Sequence, residues 1–260
     1  MRTIFTFSLL SLLTISSSFA AIYNVTSEAD SGAGTLRQAV NDAMANPGHD
    51  QVIVDRTSVN IITLTTRHNP IGFAYYLQTI SNIDIIGNGA EIVSGTAELV
   101  MTIASSNVLF EDIIFKDFTD YVIRPTSNVT FQDCTFQDCI GSSWGAIWQR
   151  GGDLVMTNCT FDQCEGSQAG AIFVDFNSTS TVLTDMTFTD NVSTNNGGFG
   201  NSLTIQYDAQ ITLSGTCTFT GTLDQDIFYR QGGGELPDPS NTVTLNTFTL
   251  ATGSVLKINQ

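Results

Sequence analysis

The chain has 260 residues, with 25 acidic and nine basic side chains and a formal net charge of −16 at pH 7. This negative charge argues against nucleic acid and anionic membrane surfaces as partners, because both repel an acidic protein. It fits an extracellular setting, although acidic side chains on an outer face also simply keep a β-rich surface soluble. The many Thr, Ser, Asn and Gly residues favour an all-β chain with one core.

The first 20 residues have the pattern of a secretory signal peptide. Met1-Arg2 precedes an apolar run from Ile4 to Ile15, and small residues lead to Ala20 and Ala21. The apolar run is shorter than the roughly 18 residues that a membrane span needs, and no later stretch reaches that length. We therefore expect cleavage after Ala20 or Ala21. The mature protein is then secreted, either extracellular or at the cell surface, without a membrane span.

One amphipathic helix is predicted within residues 21–50. Its apolar positions recur at helical spacing: Leu36, Ala39, Val40, Ala43 and Met44. Thr35 with Gln38 forms a capping-box pattern at its start, and Asn46-Pro-Gly48 ends it. A solenoid exposes its core and strand edges at the first coil, so we predict that residues 21–50 form an N-terminal cap with this helix.

The middle of the chain contains one pattern twice, 25 residues apart. Val129–Cys139 is followed by Trp144-Gly-Ala-Ile147, and Leu154–Cys164 is followed by Ala169-Gly-Ala-Ile172. The frame extends to a series of phenylalanines: Phe115, Phe136, Phe161, Phe188, Phe219 and Phe248. Repeats that keep their chemistry imply parallel strands stacked about 4.8 Å apart. The sequence predicts an all-β, single-domain, right-handed parallel β-helix with coils over residues 51–260.

A resemblance to a known group of proteins begins at Val25–Ala43 and continues through Pro47–Val54. This stretch resembles the opening of many secreted right-handed β-helix proteins, including surface proteins related to the polymorphic outer-membrane proteins. Those proteins repeat the tetrapeptides Gly-Gly-Ala-Ile and Phe-x-x-Asn. Phe188-Thr-Asp-Asn191 matches the second tetrapeptide, whereas Cys139 and Cys164 replace its Asn in the two preceding copies. The resemblance implies this fold and export from the cell.

Four of the five cysteines lie at equivalent places in the two copies: Cys134, Cys139, Cys159 and Cys164. Equivalent residues of adjacent coils lie about 4.8 Å apart, within the Cα separation that disulfides need. We therefore predict the bridges Cys134–Cys159 and Cys139–Cys164 in an exported protein. In the alternative, all four are reduced and pack as small apolar side chains. Two Cys-x4-Cys motifs without His are poor zinc spacing, and Cys217 is expected to be buried without a partner.

Five Asn-x-Ser/Thr sequons occur, and they make glycosylation candidates of Asn24, Asn128, Asn158, Asn177 and Asn191. In a host that glycosylates, Asn24, Asn128 and Asn177 are expected to be the best exposed. Asn158 falls in a predicted turn, where it is expected to be hindered. Such sequons also arise by chance in a chain so rich in Asn and Thr.

Polysaccharide lyases and galacturonases use this fold, and both need clustered charges. The basic residues of the central coils, Lys116, Arg124 and Arg150, fall at different repeat positions. His49 and His68 lie in no triad-like setting. Two acidic columns align, the first with Asp112, Asp133 and Asp185 and the second with Asp117, Asp138 and Asp190. Either column could bind calcium weakly. We prefer the interpretation that both columns are turns, because Asp and Asn are routine turn formers. We assign no catalytic residue, no metal ligand and no cofactor.

Threonine pairs suggest a different class of function. Thr-x-Thr occurs at Thr187/Thr189 and Thr218/Thr220, among other places, as on ice-binding β-solenoids, but Gln137 and Asp162 interrupt the rows. Outward Thr is also an ordinary strand residue. The sequence favours a secreted, non-catalytic surface or matrix protein that contacts glycans or cell-surface proteins through an extended flank. The alternatives are a polysaccharide lyase or glycoside hydrolase and, less favoured, an ice-binding solenoid.

Overall fold

A computed structural model describes most of the chain. The described residues are 20–66, 77, 80–95, 104–141, 143–195, 200–206, 209–220, 226–230, 243–245, 249–250 and 256–258. The predicted signal peptide lies outside them except for its last residue, and His68 lies outside them too. Within the described part, no helix combines the length and the apolar character that a membrane crossing needs.

The predicted N-terminal helix is confirmed as α1, Leu36–Ala45. Its N-cap residue Thr35 accepts a hydrogen bond from the Gln38 amide, which satisfies one of the free amides of the first turn. The buried face consists of Leu36, Ala39, Val40 and Ala43. This face packs on the first strands and belongs to the main hydrophobic core.

The rest of the described structure is built of short strands. In chain order these are β1 (Ile22–Val25), β2 (Asp50–Val54), β3 (Ile61–Leu64), β4 (Ile80–Ser94), β5 (Ala104–Lys116), β6 (Val129–Gln132), β7 (Thr135–Gln137), β8 (Ile140–Gly141), β9 (Ile147–Gln149), β10 (Gly152–Thr157), β11 (Thr160–Asp162), β12 (Glu165–Gly166), β13 (Ile172–Val174), β14 (Ser178–Thr184), β15 (Thr187–Thr189), β16 (Val192–Ser193), β17 (Leu203–Gln206), β18 (Ile211–Ser214), β19 (Thr218–Thr220), β20 (Ile227–Arg230), β21 (Val243–Leu245), β22 (Thr249–Leu250) and β23 (Leu256–Ile258).

These strands wind into a right-handed parallel β-solenoid of about six turns, which confirms the predicted fold. Every strand pairing in the described part is parallel. There are three sheets: one of 15 strands, one of three strands (β8, β12 and β16), and one of five strands (β9, β13, β17, β20 and β23), which we call the third sheet. From β6 onward the coils pass from the 15-stranded sheet to the third sheet, and three of them also cross the three-stranded sheet in between.

The predicted phenylalanine column is present in the core. The register aligns Phe115, Phe136, Phe161, Phe188 and Phe219, which we call the phenylalanine file. Successive rings stack with centroids 5.0, 4.5, 5.4 and 4.7 Å apart, and all five side chains are fully buried. The predicted sixth member, Phe248, lies outside the described residues, and the backbone register pairs Phe219 with Leu250 instead. The last coil is two residues longer than the spacing suggested.

Both acidic columns form corners of the coils. Residues 112, 117, 133, 138, 158, 163, 185 and 190 all have φ between 49° and 57°, the left-handed region. Asp and Asn adopt this conformation more readily than other side chains, so one such residue turns the chain between two strands. The interpretation of the columns as turn formers is thus confirmed. The corners turn the chain so that the phenylalanine file faces the core and the third sheet forms one side of the solenoid.

The N-terminal cap also covers the free edge of β3. Glu28 Oε1 accepts hydrogen bonds from the amides of Asn60 (2.7 Å) and Ile61 (3.2 Å), and Asp30 Oδ1 accepts one from Thr65 (3.0 Å). These amides belong to the edge of β3 that faces away from β4. Two carboxylates therefore replace a neighbouring strand, which protects an edge that could pair with another chain.

We expect this carboxylate contact to weaken in acid. The hydrogen bonds from Asn60 and Ile61 lower the pKa of Glu28. Burial raises the pKa of Asp30, but hydrogen bonds from Thr66 and Thr65 outweigh it and lower the pKa overall. A lowered pKa contributes stability that is present above the ordinary value, about 4, and is lost as the pH falls through the folded value. Amide exchange at residues 60, 61 and 65, corrected for intrinsic rates, should be faster at pH 3 than at pH 6.

The variant Glu28→Gln should reproduce the faster exchange at pH 6, because it removes the same negative charge. Glu111→Gln, on the outer face of β5, provides the control and should leave these three amides unchanged. Equal protection of the amides at both pH values would contradict the assignment of this role to Glu28 and Asp30.

Candidate functional site

The third sheet carries a row of outward side chains on its solvent side. The register aligns Trp148, Phe173, Thr204 and Phe228, and the backbone pairing continues to Lys257. Their neighbours Ile147, Ile172, Leu203 and Ile227 belong to the main core, as the alternation of a strand requires. The row thus lies on the outside of the solenoid.

A second aromatic cluster lies over the first part of this row. Trp144 stacks on Trp148 with ring centroids 3.9 Å apart and planes 12° apart. Tyr121 meets both rings edge-on, at 6.4 Å and 5.5 Å. Stacked and edge-on contacts of this kind add stabilisation beyond the area that they bury. The cluster holds Trp144, which is partly exposed, in a fixed orientation at the surface.

Two arginines share the ring of Trp148. Arg150 Cζ lies 5.2 Å and Arg124 Cζ 5.4 Å from the ring centroid, within the range of cation–π attraction. Arg150 is exposed, and it makes no ion pair with any residue that the structure describes. We call Tyr121, Arg124, Trp144, Trp148 and Arg150 the tryptophan–arginine patch. It places flat aromatic surface beside positive charge.

The patch is supported from behind by hydrogen bonds. Asp175 Oδ2 accepts one from Trp148 Nε1 (3.4 Å), and its Oδ1 accepts one from the amide of Phe176 (2.8 Å). Inside the barrel, Gln149 Nε2 donates to the carbonyls of Gly152 (3.0 Å) and Ser180 (3.1 Å). These contacts hold the strand that carries Trp148 and limit the freedom of the Trp148 side chain.

Beyond the patch, the connecting segments cover the outward row. Thr204 Oγ1 donates to the carbonyl of Gln168 (2.5 Å) and accepts from the amide of Gly200 (2.9 Å). Thr204 and Phe173 are therefore buried although they point away from the barrel. On this flank Trp144 is partly exposed, Trp148 is 7% exposed, and Phe176, which follows β13, is 47% exposed.

The sequence did not predict this grouping. Arg124 and Arg150 fall at different repeat positions, yet the Ile123–Ile147 bridge puts Arg124 in register with Trp148. Lys116, the third candidate, lies on β5 in the 15-stranded sheet and pairs with Gln137. The available signal was the spacing of the only two tryptophans, four residues apart and next to Arg150.

The family comparison supports the observed architecture. The model of the right-handed β-helix region matches residues 41–248, more than half of the chain. The chain belongs to the right-handed β-helix family. No curated protein sequence gives a significant match to it. Membership of the right-handed β-helix family therefore establishes the fold and leaves the activity to be inferred from the site.

In this right-handed β-helix, His49 forms a clamp through contacts with side chains of β4 and β5. Its Nε2 lies 2.6 Å from Asp84 Oδ1, and its Nδ1 lies 3.0 Å from Asn107 Nδ2. Both ring nitrogens are thus engaged. An open pocket of about 120 Å³ adjoins the clamp and is also lined by Asn128 and Thr130. The clamp joins the residue just before β2 to β4 and β5.

The acidic corners of the β-helix are largely exposed to solvent. Asn158 Nδ2 donates to Asp133 Oδ1 (2.6 Å), and Asp185 Oδ1 accepts from the amide of Thr216 (2.8 Å). In the described part of the chain, no three His, Cys, Asp or Glu side chains converge in a way that could hold a metal ion. The corner side chains bond mainly along the ladder.

The two predicted disulfide bridges are absent, because all five cysteines are buried free thiols. Cys134 is stacked with Cys159, and Cys139 with Cys164, one strand spacing apart in the core. In-register side chains of parallel strands run side by side, about 4.8 Å apart, whereas bonded cysteines bring their Cβ atoms to about 3.8 Å. The alternative prediction, small apolar packing, describes the structure.

Asn191 occupies the position at which the two preceding coils carry a cysteine. It lies in the same column as Cys139 and Cys164, its Oδ1 accepts from the amide of Cys164 (2.9 Å), and its Nδ2 donates to the carbonyl of Phe161 (3.1 Å). Cys164 Sγ reaches the carbonyl of Phe136 (3.4 Å) in the same way. The thiol therefore takes over one of the two hydrogen bonds that the amide makes between coils.

We predict that the native protein resists thiol-specific alkylation. The cysteines are at most 1% exposed, and burial raises the pKa of Cys134, Cys164 and Cys217, which disfavours the reactive thiolate. A maleimide should label no cysteine in the folded protein and all five in denaturant without reductant, as counted by mass spectrometry. Labelling of only one or three cysteines in denaturant would show that bridges form after all.

Four of the five sequon asparagines are exposed, namely Asn24, Asn128, Asn158 and Asn177, and glycosylation there stays a prediction. Asn191 differs, because it is 5% exposed and its amide is engaged in the two hydrogen bonds described above. A glycan at Asn191 would have to replace a buried amide, so we do not expect one in the folded protein.

Threonines of the β-helix form one continuous outward column. Thr135, Thr160, Thr187 and Thr218 are in register, and the backbone pairing continues to Thr249. The column beside it contains Gln137, Asp162, Thr189 and Thr220, so paired threonines occur on two successive coils within the described residues. Two coils offer a small surface for an ice lattice, and Thr is a common outward strand residue.

Proposed function

We propose that this right-handed β-helix is a secreted, non-catalytic surface or matrix protein that binds glycans at the tryptophan–arginine patch. The supporting observation is the stack of partly exposed Trp144 on Trp148, with two guanidinium groups against the same ring. Aromatic faces give apolar contact to the C–H face of a sugar ring, while guanidinium groups donate several hydrogen bonds in a fixed plane.

The placement of the patch on a sheet favours binding. β9 is paired with β13 on one side and bridged to Ile123 on the other. Trp148 is further held by Asp175, so little side-chain freedom remains to be lost when a ligand binds. A rigid aromatic surface on a long solenoid flank suits contact with an extended chain.

The composition of the patch supports binding rather than catalysis. Its five residues include no carboxylate and no imidazole, the side chains that most often transfer protons in enzymes. Hydrolysis of a glycosidic bond commonly uses two carboxyl groups placed on either side of it. The patch offers contact surface and hydrogen-bond donors instead.

The test is a panel of immobilised glycans that scores both retention of the protein and formation of new chain ends. The wild-type protein should be retained by at least one glycan. Trp144→Ala should weaken that binding by about tenfold or more, the scale of one lost aromatic contact at a binding centre. Ile140→Ala, which removes an exposed apolar side chain from another sheet, is the control and should bind like wild type.

Circular dichroism and thermal melting of both variants would show that they remain folded. Retention of the protein with no new ends supports the proposal. New unsaturated or reducing ends would overturn the proposal in favour of the lyase or hydrolase alternative. Equal binding by wild type and Trp144→Ala would show that the glycan binds at a different place on the protein.

A further inference from the structure

We propose that the ligand of the tryptophan–arginine patch is an acidic saccharide chain, whose carboxylate or sulfate groups pair with Arg150 while a sugar ring lies against Trp144. This inference rests on the proposed function and narrows it to one class of glycan. It goes against the charge of the chain as a whole, because a protein with a net charge of −16 repels a polyanion except where positive charge is concentrated.

Such a concentration exists on the third sheet. Five basic residues follow Arg67 in the sequence: Lys116, Arg124, Arg150, Arg230 and Lys257. Four of them belong to this flank. Arg124 is in register with Trp148, Arg150 directly follows β9, Arg230 ends β20 in register with Gln206, and Lys257 pairs with Phe228. By backbone position, four of these five basic residues therefore lie along one side of the solenoid.

Arg150 is the residue best placed to meet an anion. It is exposed, makes no ion pair within the described structure, and rests on the ring of Trp148. An arginine held against an aromatic ring loses less freedom on binding, and its planar fork matches a carboxylate or sulfate with two parallel hydrogen bonds. Arg124 adds a second positive charge against the same ring.

One carboxylate in the same region, that of Asp175, is engaged by other partners. Asp175 follows β13 as Arg150 follows β9, but it is only 8% exposed and accepts hydrogen bonds from Trp148 Nε1 and from the amide of Phe176. Its carboxylate therefore orients the tryptophan and offers little surface to a passing anion. The exposed charge of the patch belongs to Arg150.

The partly exposed Trp144 adds the preference for a saccharide over a simple anion. A free anion would be satisfied by the guanidinium alone, whereas the adjoining aromatic face offers contact area to the apolar side of a sugar ring. Loss of Trp144 should therefore weaken binding of every saccharide, and loss of Arg150 should abolish the preference for charged ones.

Three polymers with one backbone separate these contributions: dextran, carboxymethyl-dextran and dextran sulfate. The full chain should bind the two charged polymers at least about tenfold more tightly than dextran, with affinity that falls as salt rises. Arg150→Gln should remove most of this difference. Lys116→Gln makes the same change of charge on the 15-stranded sheet and should leave it intact. Binding of one charged polymer but not the other would identify the anionic group.

Several outcomes would overturn the inference. Equal binding of dextran and its charged forms, with loss of both in Trp144→Ala, would leave glycan binding standing and remove the acidic preference. Equal effects of Arg150→Gln and Lys116→Gln would show that the attraction is not local to the patch. Failure of the charged polymers to bind, while neutral glycans of the wider panel are retained, would also exclude it. Retention by no glycan in either experiment would remove the proposed function as well.

Discussion

Replacing Phe161 with Ala should lower the free energy of unfolding by about 3–5 kcal/mol, the usual cost of removing a buried phenylalanine ring. Phe161 is the central ring of the phenylalanine file, 4.5 Å from Phe136 and 5.4 Å from Phe188. Its removal leaves a cavity between two rings whose positions are set by backbone pairing, so the neighbours cannot close the gap. Chemical denaturation followed by circular dichroism measures the loss.

Two further variants make this prediction specific. Phe161→Leu keeps most of the apolar volume and should cost less than about 1.5 kcal/mol. Phe176→Ala removes the same ring from a side chain that is 47% exposed and should change stability by no more than about 0.5 kcal/mol. A Phe161→Ala protein as stable as Phe176→Ala would mean that the stacked file does not hold the coils together.

Replacing Gly145 with Ala should cost about 3 kcal/mol or more of stability and should also weaken glycan binding. Its φ is +73°, a conformation that costs an L-residue roughly 1–2 kcal/mol. A Cβ atom there would lie 2.8 Å from each of three carbonyl oxygens, those of residues 169 to 171. The backbone must therefore shift, and Trp144, the preceding residue, must shift with it.

Gly89→Ala is the matched control for this substitution. Gly89 has a similar φ of +77°, but a Cβ atom would meet only one side-chain oxygen, 3.9 Å away. Gly89→Ala should show the backbone cost alone and leave binding unchanged. If the two variants lose the same stability, close packing around Gly145 contributes nothing, and thermal melting with the glycan panel would reveal this directly.

The repeating part of the fold could be predicted from the sequence, because equivalent positions in successive coils of a solenoid carry similar side chains. Phe136 and Phe161 each pair with a phenylalanine of the next coil, so the regular spacing of these residues identified both the strands and the core. The regular spacing does not extend beyond Phe219, because the backbone register pairs Phe219 with Leu250, two residues past the expected position. Irregular coil length carries no signal in the residues on either side.

The candidate site was harder to predict, because it depends on the parts of each coil that do not repeat. The segment before β9 and the bridge at Ile123 bring Arg124 to Trp148, although nothing in their spacing indicates a contact. The disulfide prediction differs from the site in that the sequence did indicate which residues are close together. Their spacing placed Cys134 beside Cys159 correctly, but proximity in a parallel stack does not supply the converging geometry that a bridge needs.

The left-handed corners separate the charge of this protein from its architecture. A corner needs only a residue that tolerates positive φ, and aspartate, asparagine and glutamine all fill it here, with the side chain mostly in solvent. Exchange of aspartate for asparagine at a corner changes the net charge by one unit and leaves the interior untouched. A lineage of such solenoids can therefore tune its attraction to ions and neighbours coil by coil, at almost no risk to folding.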